Sequence, residues 1–170
     1  AIRAHAFGMK IIAYDVYWDE AFADSHNVTR AESMDDIFAV ADYISLHTNL
    51  TPETRDLVRT ETIAKMKDGV QIINCARGEI VHTADIVTAL KSGKVAGYGT
   101  DVLDEEPPPP DHPLLSLPNV VVTPHVGSRT SESVQRQANK AVQNLINVAA
   151  GEAPLAQVNR DIPYLNGKLA

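Results

Sequence analysis

The sequence predicts an α/β fold built on a doubly wound parallel sheet. Short β-rich apolar runs alternate with amphipathic segments, which is typical of parallel strands joined by crossover helices. The 170 residues are 44% hydrophobic, enough for one sizeable core. The predicted elements are strands at 10–14, 42–46, 70–74, 95–103 and 119–122, with helices at 33–40, 60–67 and 83–92.

Three of these strands are followed within a few residues by a side chain that can do chemistry. They are the strands at 70–74, 95–103 and 119–122, and the residues that follow them are Arg77, Glu106 and His125. In open parallel sheets the ligand crevice lies outside the carboxyl ends of the strands. We therefore expect these three side chains to point into one crevice.

The last predicted element is a long helix that begins near Ser131, a good helix cap, and ends before Gly151. Its apolar residues share one face, at spacings of three and four, and this stripe predicts core packing. The stripe consists of Val134, Ala138, Ala141, Leu145 and Val148. The loop 104–111 contains four consecutive prolines, so it is predicted to be neither helix nor inner strand.

Arginine, glutamate and histidine form a working set for a 2-oxo acid. A guanidinium grips a carboxylate through two parallel hydrogen bonds, and an imidazole transfers one proton. The carboxylate of Glu106 would hold that imidazole protonated. Each residue taken alone is better explained as a surface or loop residue, so the prediction rests on the three strand ends together.

Five ordered stretches at compatible spacing resemble a known family. They are 6–10, 50–55, Asn74-Cys75-Ala76-Arg77-Gly78 within 74–81, 101–107, and Thr123-Pro124-His125 within 123–128. They are similar to the D-isomer-specific 2-hydroxyacid dehydrogenases, which include phosphoglycerate dehydrogenase and glyoxylate or hydroxypyruvate reductases. The resemblance runs from residue 1 to about residue 159.

The resemblance implies a Rossmann-like fold and hydride transfer between NADH and a 2-oxo acid or D-2-hydroxy acid. It implies that Arg77 binds the substrate carboxylate, that His125 is the acid/base at the reacting oxygen, and that Glu106 pairs with His125. Formate dehydrogenases look similar but have glutamine where this chain has Glu106, because their hydride transfer exchanges no proton with the substrate. Glu106 therefore favours a hydroxy acid.

The expected cofactor is NAD. Asp15 ends the first predicted strand, where an acid can accept hydrogen bonds from an adenosine ribose and would repel a 2′-phosphate. An ordinary turn aspartate explains Asp15 about equally well without the family resemblance. The resemblance implies that the nicotinamide half of the site is lined by Thr48, Cys75, Ala76, Arg77, Asp101, His125, Gly127 and Ser128.

The chain departs from the family at its amino end. Residues 1–8 resemble the second half of a helix that should follow a Gly-x-Gly-x-x-Gly turn, and that turn and its preceding strand are absent. A sheet truncated in this way must close up, borrow a strand or remain split. We expect the carboxyl-terminal part of a longer dehydrogenase, with residues 1–155 a partial dinucleotide-binding domain and 156–170 a tail returning to a substrate domain.

Charge and composition exclude several function classes. The formal charge of −7, with no basic stripe, opposes nucleic-acid binding. No apolar run approaches the roughly 18 residues of a membrane span, so the cytoplasm is the expected location. A single cysteine excludes an internal disulfide, and no metal site is expected. Four further histidines are expected on helix surfaces or in loops, without direct chemistry: His5, His26, His82 and His112.

Two alternatives to an active enzyme remain open at this point. One is a dinucleotide-sensing binding protein like the transcriptional corepressors that share this fold and these three residues. The other is an inactive fragment that folds without its phosphate cradle. The expected partner is a small 2-oxo or 2-hydroxy acid, and a homodimer is expected for the intact protein.

Overall fold

The computed structural model describes residues 1–157, and the predicted α/β fold with parallel strands is confirmed. The strands are β1 (Ile11–Ala13), β2 (Val28–Arg30), β3 (Tyr43–Leu46), β4 (Val70–Asn74), β5 (Val95–Thr100) and β6 (Val120–Val122). The helices are α1 (Ile2–Ala6), α2 (Glu20–Ser25), α3 (Met34–Val40), α4 (Thr60–Lys65), α5 (Thr83–Ser92) and α6 (Ser131–Ala149). Short 3₁₀ turns lie at Gly78–Ile80 and Pro113–Ser116.

The strands form two separate parallel sheets. β1 pairs with β2, with Ile11 opposite Val28 and Ala13 opposite Arg30. The second sheet has the order β3-β4-β5-β6. Within residues 1–157, β1 and β3 each pair on one side only. Of the three outcomes expected for a sheet without its usual first strand, the sheet therefore remains split.

The hydrophobic core lies against the four-stranded sheet. Alternate residues of β3 and β4 are buried, as expected for strands covered by helices. Ile72 of β4 and Val95 of β5 are at most 1% exposed, and Ile86 of α5 is fully buried beside them in the same cluster. This packing makes the carboxyl ends of β4, β5 and β6 a well-supported edge.

The two-stranded sheet is packed much more thinly. Within residues 1–30, Ala23 is the only buried hydrophobic residue, whereas Phe7 is 87% and Tyr17 89% exposed. Neither α2 nor β2 was predicted, because both are short and polar. Asp19 caps α2 by accepting a hydrogen bond from the Phe22 N–H at 2.9 Å.

The chain divides into two compact units, residues 1–125 and residues 126 onward. In the second unit, Thr130 rather than Ser131 caps α6, accepting from the Ser133 N–H at 3.2 Å. Asn144 then accepts a hydrogen bond from the Leu155 N–H at 2.7 Å and ties down the segment after the helix.

The prediction that the apolar stripe of α6 is core packing is wrong for the described structure. No residue of α6 is buried, and Leu145 is 72% exposed. The described part of the second unit is one helix and a short segment, and within it the apolar stripe of α6 is not buried. The boundary predicted at residue 155 stays a prediction, and residues 158–170 of the predicted tail lie outside the described residues.

In the part of the chain that the structure describes, every helix is too short or too polar to cross a membrane. Among the same residues, no group of three or more His, Cys, Asp and Glu side chains is arranged to hold a metal ion.

Candidate active site

Arg77 stands on a turn that the last residue of β4 holds in place. The Asn74 side chain is fully buried, so its amide must be hydrogen-bonded within the protein. Its Oδ1 accepts from the Ala76 N–H at 3.0 Å, and its Nδ2 donates to the Arg77 carbonyl oxygen at 2.9 Å and to the Tyr98 hydroxyl at 3.4 Å. The turn between β4 and Arg77 is thus fixed from inside the core.

The Arg77 guanidinium itself is exposed. Its Nη1 donates to the Ala76 carbonyl oxygen at 2.6 Å. Within residues 1–157 it forms no ion pair with a carboxylate. A guanidinium has five N–H donors, so most of its binding capacity faces the surroundings.

Gly78 brings the Arg77 turn against the loop that carries Glu106. A Cβ atom on Gly78 would lie 2.0 Å from the Leu103 carbonyl carbon and 2.4 Å from the Asp104 nitrogen. Only glycine allows two backbones to approach so closely. The Arg77 turn and the segment after β5 are therefore in direct backbone contact.

Glu106 has one carboxylate oxygen bound to its own loop and the other to His125. The Leu103 N–H donates to Glu106 Oε1 at 3.0 Å. His125 Nδ1 lies 2.7 Å from Glu106 Oε2, and because a carboxylate only accepts, Nδ1 carries the hydrogen. The hydrogen bond from His125 is the main reason that the pKa of Glu106 lies below its ordinary value.

His125 follows β6 in a left-handed backbone conformation, with φ of 52°. Such a conformation costs a residue with a side chain about 1–2 kcal/mol, and it is concentrated at functional sites. The His125 N–H donates to the Thr123 carbonyl oxygen at 3.0 Å, which closes the tight turn. The turn aims the imidazole at Glu106 while leaving 42% of the side chain exposed.

Arg77, Glu106 and His125 line one open cavity of about 220 Å³. A cavity of this volume has room for several water molecules and suits a small organic acid. The remaining lining residues are Gly78, Glu79, Val102, Leu103 and Asp104. The structure thus brings together the three side chains predicted to meet, and their catalytic roles stay predictions.

The residues predicted to bind the nicotinamide follow the ends of strands along the chain. Asp101 is 6% exposed, and its Oδ1 accepts from the Thr123 hydroxyl at 2.5 Å. Cys75 is exposed and Ala76 is half-buried beside it. Gly127 and Ser128 belong to the second compact unit, in the stretch before α6.

Of the predicted site residues, only Arg77, Glu106 and His125 line the cavity, and Asp15 and Thr48 follow other strands. Asp15 is exposed just after β1, and its Oδ1 accepts from the Tyr17 N–H at 2.9 Å. The Thr48 hydroxyl donates to the Asn49 carbonyl oxygen at 3.3 Å. The Asp15 contact is the geometry of an ordinary turn aspartate, and it leaves Oδ2 available to a ligand.

His112 lies in a loop, as expected, at the residue before the 3₁₀ turn Pro113–Ser116, but it is buried there. His112 is 5% exposed, and its Nε2 lies 3.0 Å from Asp104 Oδ1. Only a weak sequence signal points to this contact, a histidine just before Pro113 and two leucines. Gly78 and Asn74 were also not among the predicted site residues. Gly78 contributes by letting two backbone segments approach closely, and Asn74 contributes through the hydrogen bonds of its buried side-chain amide.

Comparisons with known proteins show which family this chain is similar to. The family model described as "D-isomer specific 2-hydroxyacid dehydrogenase, NAD binding domain" matches residues 1–127. A glyoxylate reductase of Thermofilum pendens is 42% identical over 95% of this chain and 48% of its own length. A hydroxypyruvate reductase of Blautia hydrogenotrophica is 43% identical over 92% of this chain and 48% of its own length.

Solved structures show the same fold. D-lactate dehydrogenase with NAD+ from Lactobacillus jensenii is 34% identical, with a TM-score of 0.84 over 94% of this chain and 51% of that one. The chain spans about half the length of the two reductases. The Rossmann-like fold is thereby confirmed, and the chain belongs to the D-isomer specific 2-hydroxyacid dehydrogenase family, in the part that forms its NAD-binding domain.

Proposed function

We propose that this chain carries the catalytic half of an NAD-dependent oxidoreductase that interconverts a small 2-oxo acid and its D-2-hydroxy acid. The observation that carries the proposal is the shared cavity of Arg77, Glu106 and His125, with Glu106 and His125 in contact at 2.7 Å. The family membership supports the same reaction class.

In this proposal Arg77 binds the substrate carboxylate. Its guanidinium gives one hydrogen bond to the Ala76 carbonyl oxygen and keeps other N–H groups for two parallel bonds to a carboxylate. A substrate held in this way has its 2-oxo group one bond from the carboxylate. The reacting carbonyl is therefore fixed close to the acid–base pair.

His125 supplies the proton. Because its Nδ1 is engaged with Glu106, its Nε2 faces the substrate oxygen and donates the proton that turns the carbonyl into a hydroxyl. Bound NADH supplies the hydride for the carbonyl carbon. The negative charge of Glu106 stabilises the protonated imidazole before transfer, and in the oxidation direction His125 takes the proton back from the hydroxyl.

The residues present fit NAD at both ends. Asp15 lies two residues after β1, and its Oδ2 accepts no hydrogen bond within residues 1–157, which suits the hydroxyls of an adenosine ribose. Asp101 is a buried carboxylate after β5, which suits the carboxamide of the nicotinamide. The sequence has no Gly-x-Gly-x-x-Gly turn to bind the pyrophosphate, so we expect the 170 residues alone to bind NADH weakly.

The proposal includes the predicted organisation. Residues 1–155 act as part of a dinucleotide-binding domain, and 156–170 lead to a substrate domain in a longer protein. The coverage of about half of the two reductases and the split sheet support this. The same proposal describes the protein as a cytoplasmic homodimer that binds neither nucleic acid nor membranes. The charge of −7 supports the absence of nucleic-acid binding.

The test is NADH oxidation by the whole protein with glyoxylate, hydroxypyruvate and pyruvate as acceptors. We expect Arg77→Ala to lower kcat/KM by about 100-fold, because about 3 kcal/mol of charged hydrogen bonding is lost. The matched control is Arg59→Ala, since Arg59 pairs with Glu61 on the surface at 2.8 Å. Absence of turnover with every 2-oxo acid would refute the proposal, whereas robust turnover counts against a corepressor-like binding protein.

A further inference from the structure

The loop after β5 is anchored by a buried histidine that has no role in the reaction described above. His112 Nδ1 accepts a hydrogen bond from the Leu114 N–H at 3.4 Å. Its other nitrogen, Nε2, therefore carries the hydrogen and donates to Asp104 Oδ1 at 3.0 Å. Leu114 is 3% exposed and belongs to the hydrophobic core, so the hydrogen bond from Leu114 fixes the histidine to the core.

Asp104 transmits this anchoring to the catalytic loop. It is adjacent to Leu103, whose N–H holds Glu106 Oε1, and its own nitrogen faces Gly78 at close range. Thr83, at the start of α5, lies beside the Asp104 carboxylate and helps to lower its pKa. Movement of Asp104 would therefore displace the N–H group that orients Glu106.

Asp104 is charged in this position. Partial burial acts to raise the pKa of Asp104, but the hydrogen bond from His112 and the neighbouring Thr83 side chain outweigh it and hold the pKa below its ordinary value. A charged acceptor makes the bond from His112 roughly twice as strong as a neutral one. Tyr98 also lies beside this carboxylate, and the burial of Tyr98 raises its own pKa. The charged and titratable groups that line the cavity together with Asp104 are Arg77, Glu79, Glu106 and His125.

We propose that Asp104 and His112 are a positioning pair for Glu106. They hold the Leu103 N–H where it fixes one carboxylate oxygen of Glu106, so that the other oxygen meets His125. Neither residue touches the substrate in this assignment. The catalytic meaning of the pair rests on the function proposed above, whereas its effect on Glu106 is a property of this chain alone.

The first experiment needs no cofactor and no activity. Carboxyl-carbon NMR of the 170-residue chain follows the pKa of Glu106 in wild type and in two variants of His112. His112→Leu removes the donor to Asp104, and we expect the pKa of Glu106 to rise toward its ordinary value. His112→Gln keeps a donor at the Nε2 position, and we expect it to restore the lowered pKa.

A matched control removes another histidine–aspartate pair. His82 lies 3.2 Å from Asp85, whose carboxylate accepts from the Thr60 N–H. His82→Leu should leave the pKa of Glu106 unchanged. If His112→Leu does not fold, the same comparison is made at Asp104, the half-exposed partner. Asp104→Leu removes the acceptor of the hydrogen bond from His112, and Asp104→Asn keeps an acceptor.

In the whole protein the same loss should lower kcat for 2-oxo acid reduction by about 10- to 100-fold, as expected for a catalytic group displaced by up to 1 Å. The acid limb of the pH profile should move toward neutral pH, which a general loss of stability would not cause. His112→Gln should recover both kcat and the pH profile.

An unchanged pKa of Glu106 in folded His112→Leu, or an equal shift in His112→Gln, would overturn the pairing. A normal NMR result with no turnover by the whole wild-type protein would overturn the proposed function instead.

Discussion

A single methyl group at Gly78 should disturb both the fold and the proposed site. A Cβ there would lie 2.0 Å from the Leu103 carbonyl carbon, whereas ordinary contact begins at 3.4 Å, so the two backbones must separate by about 1.4 Å. Overpacking of this kind costs about 1–3 kcal/mol. In a chain of this size, about 2 kcal/mol lowers Tm by roughly 4–8 °C. The same displacement moves the Leu103 N–H away from Glu106.

The assay compares thermal unfolding of wild type, Gly78→Ala and Gly99→Ala. Gly99 is the matched control, because a Cβ on this β5 glycine would meet nothing within 4 Å. Since alanine has less backbone freedom than glycine in the unfolded chain, Gly99→Ala should keep or slightly raise Tm. A Tm of Gly78→Ala within about 1 °C of wild type would refute the close-approach argument.

Three further changes test other parts of the site. Glu106→Gln should abolish the stability that wild type loses as the pH falls below the ordinary glutamate pKa of about 4.3, because a carboxyl with a lowered pKa stabilises the fold only while it is ionised; melting curves against pH measure this. In the whole protein the same variant should move the reduction profile toward acid, because no charge stabilises the protonated His125. Asn74→Ala should cost about 1–3 kcal/mol by leaving the Ala76 N–H unsatisfied, measured by urea unfolding. Asp15→Ala should narrow the preference for NADH over NADPH in steady-state kinetics, and an unchanged ratio would remove Asp15 from ribose recognition.

The elements that the sequence predicted well are those with a clear apolar pattern. β4 and α5 have the predicted bounds, because each buries apolar residues at the period of its own structure. β5 was predicted to continue to residue 103 and ends at Thr100. The Thr100 hydroxyl accepts from the Val102 N–H at 3.2 Å and turns the chain, a local contact that hydrophobic periodicity does not reveal.

The site residues were predictable where a side chain suited to the chemistry follows the end of a strand. Arg77 and His125 follow strands directly, so topology alone brings them to one edge. The contact of His112 with Asp104 was not predictable, because it depends on a proline-rich loop folding back onto the core. Sequence patterns report which side chains are apolar, and they do not report which polar side chains will find partners inside.

The two ends of the proposed site rest on parts of the fold that are packed unequally. The acid–base end depends on β4, β5 and β6, whose residues enter the main core. The adenosine end depends on Asp15 after β1, in a segment of which only Ala23 is a buried hydrophobic residue within residues 1–30. Apolar burial contributes about 25 cal/mol per Å², so this segment gains little from its own packing. Within residues 1–157 the sheet is split between β1 and β3. A strand that paired with the open edges of β1 and β3 would stabilise the segment that carries Asp15. It would therefore change the affinity for the cofactor more than it changes the geometry of Glu106 and His125.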